Sequence, residues 1–190
     1  MRLRDENKRK VIVQTAIRLF SEQPFHKVRL DDVAAAAGVG KGTVYIYFKN
    51  KEDLYYSMIY DGLAELVKRL AVQLKEPQTS FEDRIRIIVL AVVEFSVHHP
   101  QLFEVMRTVG VPDATSAWDQ KRQELAHLVE DVVRQGIATG QCADAHPDFT
   151  SVYITGMVRA VMLYGPKAVD PKVLSDHISS LLLRGIGRSG

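Results

Sequence analysis

The sequence is poor in the residues that carry redox, disulfide and metal chemistry. Cysteine occurs once, as Cys142, in 190 residues. One thiol excludes an intrachain disulfide and any multi-cysteine zinc site, and it fits a reducing compartment. Nothing basic adjoins Cys142 in sequence to activate it. The histidines do not compensate. His98 and His99 are neighbours and so point to different faces of a helix, while His26, His127, His146 and His177 form no pair one helical turn apart. No Ser-His-Asp arrangement, glycine-rich phosphate loop or metal-ligand spacing is present. The expectation is a chain with no catalytic residues, no metal and no cofactor. Long apolar runs are also missing. None reaches the roughly 18 residues that span a bilayer, and the longest candidate, Val152 to Leu163, is interrupted by Arg159. The charged stretch Met1 to Lys10 is followed by no apolar secretory core, so no signal peptide is expected. A cytoplasmic protein with no membrane partner follows as the expectation.

What is present is ordinary globular composition, 46% hydrophobic and 25% charged. The net charge of +2 conceals an imbalance. Residues 1–51 carry 11 Lys/Arg against 5 Asp/Glu, and residues 52–190 carry 14 against 18. A basic N-terminal quarter on a mildly acidic body suits an end that meets a polyanion. The alternative is a charged leader that only solvates the terminus.

Helical period runs through nearly every segment, and strand alternation and hairpin signals are missing. Ile12, Ala16, Leu19 and Phe20 mark one face of a first helix, which Pro24 must end. A short helix from about Asp31 to Ala37 opens on two acids, which suit its dipole, and stops at Gly38. A second short helix covers roughly Lys41 to Phe48. Asn50 is placed to cap a long fourth helix that ends before Pro77. Five more are predicted: Phe81 to His98, Pro100 to about Val109, Ala114 to Thr139, Pro147 to Tyr164 and Pro171 to Arg184. The fold class is therefore all-α with nine helices.

The informative stretch is Val28 to Leu54, VRLDDVAAAAGVGKGTVYIYFKNKEDL. It reads as a short apolar-faced helix, a tight glycine turn and a second short helix. Alanines at 34–37 let two helices cross closely, as in a helix-turn-helix. The second helix carries Lys41, Thr43, Tyr45 and Tyr47, whose side chains can donate to phosphates or to base edges. This stretch resembles the DNA-binding domain of the TetR family of bacterial regulators, whose pattern is approximately I-A-x-x-A-G-V-S-x-G-T-x-Y-x-Y-F-x-x-K-E-x-L. The match holds at Ala34, Ala37, Gly38, Val39, Gly42, Thr43, Tyr45, Tyr47, Phe48, Lys51, Glu52 and Leu54, with Val33 in place of isoleucine. The resemblance implies a two-domain architecture, with a three-helix DNA-binding domain over 1–50 and a helical-bundle effector-binding and dimerisation domain over 51–190. It implies double-stranded operator DNA as partner. The DNA-binding set is Arg29, Lys41, Gly42, Thr43, Tyr45, Tyr47 and Lys51, with Tyr47 and Lys51 expected on phosphates and Lys41 on a base. Val44 and Phe48 are expected in the core, Tyr45 half in it, and Lys49 is a solvated charge or a further phosphate contact.

Three positions depart from the family pattern. Gly40 stands where serine is usual, which loses a side-chain cap. Arg29 stands where threonine is usual, removing a cap but offering a stronger phosphate ligand. Pro24 replaces a glycine, so the corner after the first helix must turn differently.

Helix-turn-helix operators are usually near-palindromes read by a two-fold dimer. The last two predicted helices are the expected homodimer surface, through Phe149, Val152, Tyr153, Gly156, Met157, Ala160 and Leu163, with Ile178, Leu181 and Leu182 on the final one. TetR relatives dimerise through their last two long helices as a four-helix bundle; the other reading is that these faces are monomer core. A small-molecule effector is expected among the fourth to eighth helices, and a hydrophobic one by residue type. Candidates are Phe95, Phe103, Met106, Trp118, Arg122, Tyr153 and Met157, each of which core packing would equally explain. Arg107, Arg122 and Arg159 are placed to receive an acidic ligand or to pair with nearby carboxylates. The expected function is a repressor released from its operator by that effector. The alternatives are an enzyme working on a small hydrophobic substrate inside a helical bundle, and a ligand-free architectural DNA-binding protein.

Overall fold

A computed structural model describes residues 5–102, 117–166 and 168–186. Among them there are eight α-helices and no strand: α1 (Glu6–Glu22), α2 (Leu30–Ala36), α3 (Lys41–Tyr47), α4 (Lys51–Gln73), α5 (Phe81–His98), α6 (Ala117–Ala138), α7 (Pro147–Tyr164) and α8 (Pro171–Ile186). The short helix expected from Pro100 to Val109 falls mostly outside the described residues, which accounts for eight helices against nine. Phe103, Met106 and Arg107 lie outside them too.

The chain divides into two compact units. The first holds α1 to α3 and α4 as far as Gly62; the second holds α4 from Leu63 and everything from α5 to α8. In the first unit, α1 starts where the Asp5 carboxylate accepts from the amides of Asn7 and Lys8 at 3.0 and 3.3 Å. It ends at Gln23 in extended backbone, as Pro24 requires. The corner that the missing glycine would have made is a single 3-10 turn, Phe25–Lys27. Phe25 is buried there, its ring stacked on Phe20 at 5.5 Å and edge-on to Tyr55 of α4 at 5.3 Å.

Helix α2 starts at Leu30, not Asp31. Arg29 has no acceptor to cap it with, and the Asp32 carboxylate instead takes the Arg29 amide at 3.0 Å. Gly38 ends the segment at φ 65°, the left-handed conformation that glycine adopts without a Cβ penalty. Asn50 caps α4 as expected, its Oδ1 accepting from the Asp53 amide at 2.7 Å.

In the second unit α5 is the central helix, in contact with α6, α7 and α8. Its Ile85, Ile88, Val89 and Val93 are fully buried, alongside Val133 of α6, Ile154 of α7 and Ile178 of α8. Cys142 is buried with its Sγ 3.6 Å from the Val133 carbonyl, and burial pushes its thiol pKa up, with Asp144 adding to the shift. That is the setting of an inert thiol. At Gly136 of α6 a Cβ would stand 2.6 Å from the Phe81 ring and 2.9 Å from Cys142 Sγ. Gly136→Ala should therefore lower stability by about 1–3 kcal/mol, the usual cost of overpacking a core. Urea unfolding is the check, and an unchanged midpoint would show that Phe81 yields freely.

Candidate nucleic-acid interface and effector region

Helix α3 is seven residues long and bears on its own unit through one side only. Val44 is fully buried and Phe48, just past its end, is 1% exposed. Gly40 precedes it with no side-chain cap, and the Thr43 amide closes the first turn on the Gly40 carbonyl at 2.8 Å. Lys41, Gly42, Tyr45 and Ile46 are exposed, and Thr43 and Tyr47 are half-buried. The expected DNA-binding residues of α3 are thus together on one short rod, and Arg29 is exposed at the start of α2.

Three of these residues have partners that the sequence did not disclose. Lys41 Nζ donates to Asp31 Oδ2 at 2.8 Å, between two exposed side chains. The hydrogen bond to Asp31, and then its charge, raises the lysine pKa. Tyr47 uses its hydroxyl twice on Asp5, accepting from the amide at 2.9 Å and donating to the carbonyl at 3.0 Å. A phenol has one proton to give, so Tyr47 cannot donate to a phosphate while this staple holds. Lys51 is half-buried, donates to the Phe25 carbonyl at 2.9 Å and lies 4.3 Å from the Phe25 ring centroid. It braces the 3-10 turn and keeps two of its three protons for other acceptors. Tyr45, expected half in the core, is 49% exposed.

The expected effector residues are only partly brought together. Phe95 and Trp118 stack at 6.5 Å, and Phe95 also meets the His99 ring at 4.6 Å. Burial lowers the His99 pKa, and His98 adds to it. Arg122 is exposed and pairs with the buried Asp119, Nε to Oδ1 at 2.9 Å. That hydrogen bond does most to hold the Asp119 carboxyl below the ordinary carboxylate range. Tyr153 is 54% exposed on the outward side of α7, beside Phe149 and Val152, and Met157 is half-buried. A cleft of about 890 Å³, lined by Val97, Pro100, residues 162–166 and residues 168–170, borders the C-terminal end of α5. Its walls include none of the candidates. Among the described residues no group of three His, Cys, Asp or Glu can hold a metal ion, and no helix is long and apolar enough to cross a membrane.

Comparison with known proteins decides the family. Residues 12–58 match the profile described as bacterial regulatory proteins, tetR family, and residues 78–186, more than half of the chain, match the tetracyclin repressor-like C-terminal domain. The chain belongs to the TetR family. Its members are transcriptional regulators and not enzymes, which removes the enzyme alternative. This TetR-family protein is a DNA-binding transcriptional regulator. It is 25% identical over 93% of both chains to an uncharacterised HTH-type transcriptional regulator, YhgD, of Bacillus subtilis. It is 26% identical to the HTH-type transcriptional repressor NicS of Pseudomonas putida, over 93% of this chain and 91% of that one. The transcriptional regulator FadR of Bacillus subtilis, solved in complex with stearoyl-CoA, shares the fold with TM-score 0.71 and 20% identity over 93% of this chain and 98% of that one.

Replacing Tyr47 by Phe removes the staple and nothing else. The expected outcome is a loss of about 0.5–1.5 kcal/mol in unfolding free energy, with faster amide exchange at residues 6–9. Unchanged stability with weakened DNA binding would place the hydroxyl on the nucleic acid instead.

Proposed function

We propose that this protein is a repressor that grips a near-palindromic operator as a homodimer and releases it when a small hydrophobic effector binds residues 51–190. Residues 1–50, with Lys51 just beyond them, carry the DNA contacts. The observation that supports this best is α3 itself, anchored by Val44 and Phe48 with Lys41, Gly42, Thr43 and Tyr45 on its other sides. Thr43 and Tyr45 hydroxyls donate to phosphates or base edges, while Arg29 and Lys51 meet the backbone on either side. Lys41 leaves Asp31 for a base edge or phosphate. Tyr47 contributes by holding α1 to the end of α3. A Cβ on Gly42 would meet nothing within 4 Å. Its missing side chain therefore serves close approach by something outside the chain, such as a sugar-phosphate strand.

The dimer forms through α7 and α8. Phe149, Val152 and Tyr153 are each more than half exposed, as are Val173 and Leu181 of α8. Several large apolar side chains exposed on the faces of two helices suit an interaction surface. Tyr153 belongs to that surface rather than to an effector pocket. The effector site is built around Phe95 and Trp118, with Met157 and the Arg122–Asp119 pair as further candidates and the neighbouring cleft as an approach. An apolar site suits a long-chain acyl group, the kind of ligand seen with FadR. Induction follows if the effector favours the conformation whose two α3 helices no longer match the operator spacing, since only differential affinity shifts an equilibrium.

The test begins with duplexes selected from a random library and read by fluorescence anisotropy. Lys41→Ala should weaken binding about tenfold, while Asp31→Asn, which frees Lys41, should strengthen it and steepen the salt dependence by about one counterion. Stearoyl-CoA titrated into the complex should release the DNA. Saturable binding of it with DNA fully retained would overturn induction by this class of ligand. Unchanged affinity in the Lys41 variant would remove that residue from the interface. Separately, Val152→Glu puts a charge into the apolar face of α7 and should give a folded monomer by analytical ultracentrifugation. A dimer that persists would move the interface elsewhere.

A further inference from the structure

We propose that Ile46 is a specificity-determining residue that reads the 5-methyl group of thymine in the major groove. The inference rests on α3 being the helix that enters the groove, and it adds what the outermost line of that helix presents there. Residues two apart on a helix lie about 200° apart, and residues four apart share a face. Val44 is fully buried, so Gly42 and Ile46 lie opposite it and form the most protruding line of α3. Gly42 offers no side chain, which leaves Ile46 as the tip, 53% exposed. Tyr45, at 49% exposure, and the half-buried Thr43 flank it, each with a hydroxyl able to donate or accept.

A β-branched side chain lowers helix propensity relative to alanine, and half of Ile46 remains in water. Scattered exposed apolar residues are ordinary, as Val11 and Ile17 of α1 illustrate. Ile46 differs in standing near the end of α3, on the outward line of the helix that carries the proposed DNA contacts. In the major groove the only apolar feature is the thymine methyl, and apolar side chains recognise it by contact. Ile46 has no donor or acceptor to read any other base, so its choice is for thymine, against cytosine above all.

The test uses a duplex selected by the wild-type protein from a random library, with each thymine replaced in turn by deoxyuridine, which lacks only the methyl. At one thymine per half-site the wild-type protein should lose affinity about fourfold, the worth of one buried methyl-sized group. Ile46→Ala should bind the parent duplex more weakly and lose less than 1.5-fold further at that same position. Ile46→Asn, selected afresh, should move the preference there from thymine toward adenine, because Asn pairs bidentately with adenine. Equal deoxyuridine losses in wild type and Ile46→Ala, or none at any thymine, would overturn the assignment while leaving α3 in the groove. If the wild type selects no duplex, the groove reading and this inference fall together.

Discussion

A seven-residue helix has little stability of its own, because the nucleation cost is spread over too few hydrogen bonds. Helix α3 holds its shape because Val44 and Phe48 are buried against the rest of the first unit. Those two side chains fix the rotation of α3 about its axis, and the rotation determines what faces outward. A slip of one residue would move the protruding line by about 100° and bring other residues to the tip. The Gly38 turn sets where α3 begins, and the Tyr47 hydroxyl on Asp5 ties its end to the start of α1. Recognition chemistry is therefore a consequence of core packing a few ångströms behind it.

Electrostatics enters on top of that frame. The basic excess of residues 1–51 provides attraction at a distance, and the cations used up inside the chain are few. Lys51 is bound to the Phe25 carbonyl and ring, and Lys41 to Asp31. Both Lys41 and Asp31 are exposed, and an exposed ion pair is weak and easily screened. Exchanging the Asp31 carboxylate for a phosphate or a base acceptor is thus a small change for Lys41. The carboxylate keeps the lysine on the α2 side of the helix.

Most of the fold could be read from periodicity and punctuation. Phe81–His98 and Pro147–Tyr164 begin and end where their apolar spacing and flanking residues indicate, and Asp170 caps α8 through the amides of Lys172 and Val173. Errors of a residue or two arose where the stop was chemical and not steric, as at α2, whose start depends on Asp32 and not on a conventional cap. The interface was legible as a motif but not as a set of partners. Tyr47 and Asp5 are 42 positions apart, and Lys51 and Phe25 are 26 apart; no local pattern reports such pairs. Ile46 was passed over because it occupies a position where the family pattern allows any residue. Its meaning appears only when burial of Val44 shows which way the helix is turned. Of the effector candidates, Phe95 and Trp118 are in contact, while Tyr153 stands exposed on an apolar face of α7.

The glycines separate internal from external demands. Gly136 is required by the chain itself, since any Cβ there runs into Phe81 and Cys142. Gly42 of α3 and Gly156 of α7 are different: a Cβ on either meets nothing within 4 Å. Inside α7 the glycine at 156 costs roughly 1 kcal/mol relative to alanine, while Gly42 sits in the first turn of α3, where the cost is smaller; packing inside this chain gains nothing from either. Such a position leaves room for a surface that approaches more closely than a side chain would allow. Gly42 lies on the protruding line of the helix proposed to meet DNA, and Gly156 lies among the exposed apolar residues of α7. Gly42 and Gly156 thus stand on the two helices proposed above to meet another molecule, the operator for α3 and a second copy of the chain for α7.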